Sequence, residues 1–187
     1  VYLAQGSLSA TVTLMDGDND TVTSEALDIS GQVSFDDDGP SVAVEVNQEA
    51  VAALDETADE SLAATIAIGD YAYGNDPDVS DAGYISRALS TGAVISLTSE
   101  AYGADGEAID GAKVYALAIN GDDPDSGRTV TAGSPINLVL LDTGVVVGVV
   151  DGGAFAGQAA FAIRIDAQTG ELTVEQYLSL EHPQSPN

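Results

Sequence analysis

Carboxylates gathered in short turns are the residues of this chain best placed to do chemistry. They form five groups: Asp16-Gly17-Asp18-Asn19-Asp20, Asp36-Asp37-Asp38-Gly39-Pro40, Asn75-Asp76-Pro77-Asp78 followed by Asp81, Asp105-Gly106-Glu107 with Asp110, and Asp122-Asp123-Pro124-Asp125. Two carboxylates roughly 4 Å apart repel by about 1 kcal/mol in water and by several times that in a partly buried turn. A cation among them relieves that repulsion. Calcium takes about six to eight hard oxygen ligands, and alternating Asp and Asn on a tight turn deliver several to one point, whereas magnesium keeps its waters and suits such dense clusters less well.

The expected metal ligands, holding several Ca2+ ions, are therefore Asp16, Asp18 and Asp20; Asp36, Asp37 and Asp38; Asp76, Asp78 and Asp81; Asp105 and Asp110; and Asp122, Asp123 and Asp125. At each cluster the alternative is an ordinary solvated loop. Asp16, Asp18 and Asp20 open with the spacing of an EF-hand loop, but the sixth position is Thr21 rather than Gly and the twelfth is Leu27 rather than Glu. An EF-hand is excluded; a calcium-binding hairpin turn is not.

The total charge points the same way. Thirty-one acids stand against four bases, a formal net charge of −27 over 187 residues. Acidity alone serves solubility, and high charge with low hydrophobicity gives disorder, but 44% of the residues are hydrophobic, which favours a folded core. Arg87, Lys113, Arg128 and Arg164 are scattered singly, so nucleic acid, whose phosphates require clustered bases, is excluded as a partner. No run reaches the roughly 18 apolar residues of a membrane span, so no membrane insertion is expected. Cys is absent, which removes disulfides, thiol nucleophiles and Cys-ligated zinc. The chain begins inside a strand-like segment without an initiator Met or a signal peptide, and reads as a piece of something longer.

Catalytic constellations are weak. His182 is the single histidine and lies beside Glu181 and Pro183, a poor base for a Ser-His-Asp arrangement. Trp, the usual sugar platform, is absent. The chain is not expected to be an enzyme.

Positioning these turns falls to strands. Alternating apolar and polar residues in short runs bounded by turn residues predict strands with one buried face at 7–15, 21–29, 32–35, 41–46, 93–98, 113–119, 136–141, 145–150, 159–165 and 172–180. The expected architecture is an all-β, calcium-stabilised antiparallel β-sandwich with at most one or two short helices. Residues 48–64, rich in Ala, Glu and Leu, are read either as a short helix or as an extended edge. Residues 1–40 are expected to form a β-hairpin and acidic linker, packed on the main domain or ending a preceding module, because an isolated hairpin is marginal in water; residues 41–187 form the sandwich domain.

Taken in order, Val12-Thr13-Leu14-Met15-Asp16-Gly17-Asp18-Asn19-Asp20-Thr21, Phe35-Asp36-Asp37-Asp38-Gly39-Pro40, Leu54-Asp55-Glu56-Thr57, Tyr102-Gly103-Ala104-Asp105-Gly106, Tyr115-Ala116-Leu117, Gly144-Val145-Val146-Val147-Gly148 and Leu180-Glu181-His182-Pro183 resemble a module of bacterial RTX giant adhesins. The resemblance spans most of the chain, although each motif is short. It implies a type I secreted, extracellular protein of the bacterial cell surface, a long fibril of β-sandwich modules rigidified by calcium, of which this chain is one monomeric module. The His-Pro ending resembles calcium-dependent peptide-binding domains that grip the C-terminal carboxylate of a partner. In that repeat the His-Pro segment precedes the strand pair, whereas here it comes last, so the chain resembles a repeat cut out of phase.

Two functions follow as expectations. The first is a ligand-binding adhesin module for a peptide or protein on another cell surface. Its loops would be 69–92, bearing Tyr71, Tyr73 and Tyr84, and 120–128, with Arg87 or Arg128 adding a charge-assisted hydrogen bond to the ligand carboxylate. The second is a structural extender whose calcium ions only stiffen joints.

Overall fold

The computed structural model describes residues 1–36, 38–55, 63–75, 86–121 and 124–182. The chain divides into two compact units: Val1–Ser41 with Glu100–Gly106, and Val42–Ser99 with Glu107–Asn187.

In the first unit two strand pairs nest about one turn. Strands β1 (Ser9–Ala10) and β4 (Leu27–Asp28) form the outer pair, with Ser9 opposite Asp28. Strands β2 (Thr13–Met15) and β3 (Thr21–Thr23) form the inner antiparallel pair, with Leu14 opposite Val22 and the Thr13 and Thr23 hydroxyls 2.8 Å apart. Polar contacts carry the rest. Asp28 accepts from the amides of Gly6 and Ser30, each at 2.9 Å, and the Ser30 hydroxyl accepts from the Leu8 amide at 3.0 Å. Ser30 opens a 3-10 turn, Ser30–Gln32, and is the buried residue of this unit among those described. Leu14, Val22, Leu27 and Phe35 stay exposed, so hydrogen bonds rather than an apolar core hold this unit.

The second unit is built on one sheet. Its strands are β6 (Ala72–Tyr73), β7 (Ser86–Ala93), β9 (Asp125–Thr129), β10 (Pro135–Leu140), β11 (Val146–Val150), β12 (Gln158–Ile165) and β13 (Glu171–Gln176). The order is β7-β13-β12-β11-β10-β9, antiparallel throughout, with β6 added in parallel to the start of β12. Strands β5 (Ser41–Val46) and β8 (Ile95–Ala101) make a separate two-stranded ladder.

At its centre, in β11 and the first half of β12, the sheet is buried on both faces, which explains the near-continuous apolar runs there. Val145 and Val147 of the β11 run and Ala159 and Ala162 of β12 point to one face, where they pack with Ile66, Ile68 and Tyr177. Val150, Ala160 and Phe161 pack with Val130, Ile136 and Leu178 in a second cluster. Gly148 lies opposite Phe161, and the ring occupies the space that a side chain at 148 would fill.

The sheet also curls back on itself. Beyond β13 the chain crosses to β9: Leu180 bridges Val130, the Thr131 amide donates to Ser179 O at 3.2 Å, and the Glu181 amide donates to Thr129 O at 2.9 Å. The two ends of the β9–β13 ribbon are thereby joined around the Phe161 cluster.

The all-β class, the antiparallel sheets and the absence of a long helix among the described residues agree with the sequence reading; the two helical pieces there are three-residue 3-10 turns, Ser30–Gln32 and Gly153–Phe155. Three segments differ. Residues 113–119 form no strand; the Tyr115 amide donates to Ala167 O at 2.9 Å and its ring packs over Gly170, a loop contact that uses the apolar residues without a ladder. Residues 32–35 provide only the Tyr2–Ser34 bridge. Residues 48–55 and 63–64 are neither helix nor strand.

Candidate functional site

The tip of the β2–β3 hairpin is shaped by its own carboxylate. Asp16 Oδ1 accepts from the amides of Asp20 at 2.9 Å and Asp18 at 3.3 Å, and the Asp16 amide donates to Asp20 O at 3.0 Å. Asn19 closes the turn at φ 73, a left-handed conformation that Asn tolerates better than most residues. Asp16, Asp18 and Asp20 consequently present ligand oxygens that lie within 4.8 Å of one another, all exposed. A hydrogen bond shared with the Asp18 carboxyl, then the Asp20 amide, lowers the Asp16 pKa. Three convergent hard oxygens fit the donor set of a calcium site, with carbonyls and water completing the six to eight ligands.

The other expected ligands do not join such a group among the described residues. Asp36, Asp38, Asp105, Asp110 and Asp125 are exposed. Asp125 Oδ1 accepts from the Gly127 amide at 2.8 Å. Asp37, Asp76, Asp78, Asp81, Asp122, Asp123 and Tyr84 lie outside the described residues.

Arg87 and Tyr71 are half-buried against the main sheet, and Tyr73 touches it while staying exposed. Arg87 Nε lies 2.8 Å and Nη2 2.6 Å from Glu175 Oε1, and Nη2 also donates to Ala63 O at 2.7 Å. Tyr71 packs against the Ile66 cluster. The Tyr73 ring meets Tyr177 edge-on at 5.0 Å and its hydroxyl donates to Ile66 O at 3.0 Å. The sequence reading missed the group at the centre, Glu175. Its signal was an acid placed between Leu172 and Val174 on one side and Tyr177 and Leu178 on the other.

Glu175 is fully buried. Its carboxylate accepts from the Thr65 amide at 2.9 Å, the Thr65 hydroxyl at 2.6 Å, the Ile66 amide at 3.1 Å and the Tyr177 hydroxyl at 3.0 Å, besides Arg87. Burial pushes this carboxyl up, but the bonds from Thr65, Ile66 and Arg87 outweigh it and hold the pKa at about 2. Burial, then the adjacent carboxylate, raises the Tyr177 phenol.

Arg128 stands apart from this network. It is exposed on β9 and forms no ion pair among the described residues. It lines a cleft of about 500 Å³ together with Leu54, Asp55, Gln176, Leu180, Glu181 and His182. The cleft lies where the chain leaves the end of β13 and crosses to β9. Its walls are fixed by the Ser86 hydroxyl on Asp55 O at 3.3 Å, the Gln176 side-chain amide on Leu178 O at 3.0 Å and the Thr129 hydroxyl on Glu181 Oε2 at 2.7 Å. Two leucines and a guanidinium in one concavity suit a ligand with an apolar body and an anionic group.

No curated protein and no solved structure matches the chain. Residues 51–187 match one family, described as a domain of unknown function, DUF5801. That match takes in the cleft, Glu175 and the whole of the main sheet, and leaves the Asp16 hairpin outside it. The chain therefore belongs to the DUF5801 family.

Proposed function

We propose that this chain is a calcium-dependent ligand-binding module of a secreted bacterial surface adhesin, and that it grips the C-terminal carboxylate of a peptide or protein on another cell surface. The observation that carries this reading is the Arg128 cleft. In a chain with a net charge of −27, an exposed arginine without an ion-pair partner among the described residues stands beside two leucines in a concave site. A fork of N–H donors matches a carboxylate bidentately, and Leu54 and Leu180 offer apolar contact to the last side chain. The convergence of Asp16, Asp18 and Asp20 supports calcium as the ion that stiffens the module.

The test is calorimetric titration with peptides carrying a free C-terminus and with the same peptides amidated, in calcium and after chelation. Binding of the free acids that is lost on amidation and in Arg128→Ala supports the proposal. No binding across a varied peptide library overturns it.

A second reading, a calcium-stiffened structural extender, is favoured by one feature. The converging acids lie on a hairpin tip of the first unit, while the cleft is lined by residues of the second. Chelation that lowers the melting temperature without any ligand being found favours this reading.

A further inference from the structure

Residues 63–75 cross one face of the main sheet with little ladder of their own. Their strand content is β6 alone, two residues paired with Gln158 and Ala159 of β12. So short a ladder fixes little of the register by itself; a slip of one residue exchanges inward and outward side chains, whereas a slip of two keeps that alternation. Yet Ile66 and Ile68, two apart, are both fully buried. The exposed Ala63 O, the Thr65 amide and hydroxyl and the Ile66 amide are all held by one ion pair, Arg87 with Glu175.

We propose that the Arg87–Glu175 pair is a register pin: its bonds to Ala63, Thr65 and Ile66 select the one alignment of this segment that seats Ile66 and Ile68 in the core and brings Tyr73 onto Tyr177. Apolar packing supplies part of that selection, since Ile66 and Ile68 are both buried in the Tyr177 cluster, but it discriminates by size alone. The segment reads Ala63-Ala64-Thr65-Ile66-Ala67-Ile68, and a two-residue slip puts Ala64 and Ile66 into the sites of Ile66 and Ile68 with loss of contact but no polar burial there. The carboxylate is discriminating because it accepts from two consecutive amides and a hydroxyl. That slip brings Ala63 to the place of Thr65, removes the hydroxyl and leaves a lone pair of a buried anion unfilled. Replacing a buried ion pair by apolar residues of similar volume is often neutral for stability, so stability and register can be separated experimentally.

The test uses the full chain. Glu175→Gln strands the guanidinium and lowers the melting temperature by about 10 °C. Arg87→Met combined with Glu175→Met recovers most of that loss, but Ile66, Ile68 and Tyr73 then give more than one set of NMR signals, and the Thr65 and Ile66 amides exchange at least about 100-fold faster than in the parent. A single set of signals in the double variant, with the Ile66–Tyr177 contact intact, overturns the proposal in favour of packing. The unsubstituted chain supplies an independent readout. The Thr65 and Ile66 amides must fall in its slowest-exchanging class, and exchange at loop rates overturns the pin even where the double variant fails to fold.

Discussion

Glu175 and Arg87 are register partners on the adjacent strands β13 and β7, and 2.6 Å separates Oε1 of one from Nη2 of the other with the carboxylate wholly buried. Because the folded-state pKa of Glu175 is about 2 against an ordinary value of 4.5, the unfolded chain binds the proton more tightly. The contribution is fully present above about pH 4.5 and is lost as pH falls towards 2, amounting to about 3 kcal/mol. Urea titrations at pH 7, 4 and 2.5 should show stability falling between the last two. In Glu175→Gln that part of the acid dependence should disappear.

Calcium is expected to act on the hairpin tip. Titration of the metal-free chain should raise the melting temperature, and an ion at roughly a hundred times its dissociation constant adds about 2.7 kcal/mol for each site. Asp16→Asn with Asp18→Asn should remove the component due to this tip. An unchanged melting curve in chelator would refute calcium stabilisation altogether.

Gly74 and Gly148 are required by close approach. A methyl at 74 meets the Leu178 side chain and the Ala159 carbonyl, and one at 148 meets the Phe161 ring. Each Gly→Ala change should cost about 1–3 kcal/mol through overpacking, with Gly74 the more severe because backbone must give way. Chemical denaturation of both variants checks the order.

Ile66→Ala should cost about 2–5 kcal/mol, since the side chain is fully buried in the Tyr177 cluster. Arg128→Ala, by contrast, removes an exposed side chain and should leave the melting temperature within about 2 °C of the parent. Differential scanning calorimetry on the pair separates a core residue from a surface one.

The strands of the central sheet were legible because β10, β11 and β12 are apolar, β-branched and bounded by turn residues. Strand β7, Ser86–Ala93, was not, because its Ser, Arg and Thr residues pair with β13 while carrying almost no apolar signal. Strand β9, Asp125–Thr129, escaped for the same reason. Residues 113–119 misled in the other direction, since Tyr115 and Leu117 alternate like a strand but serve a loop. Of the candidate sites, the Asp16 turn could be read locally, from spacing within five residues. The Arg128 cleft could not, because it joins Leu54 to residues at 128 and 176–182 through strand order alone. In sequence Tyr73 and Arg87 read as recognition groups on a loop, and only tertiary packing reveals their contacts with Tyr177 and Glu175.

The crossing from β13 to β9 has a consequence for solubility. An open margin of a sheet offers unpaired amides and carbonyls to any other chain, the usual route to edge-to-edge aggregation. Here the Ser179–Glu181 stretch bonds along β9, and at the opposite margin the Thr91 and Ser86 hydroxyls of β7 reach Glu49 O and Asp55 O. The chain path thus covers the β9 margin with backbone bonds and ties residues 49 and 55 to the β7 margin through side-chain hydroxyls, and the dense negative charge adds a barrier to pairing with a second copy.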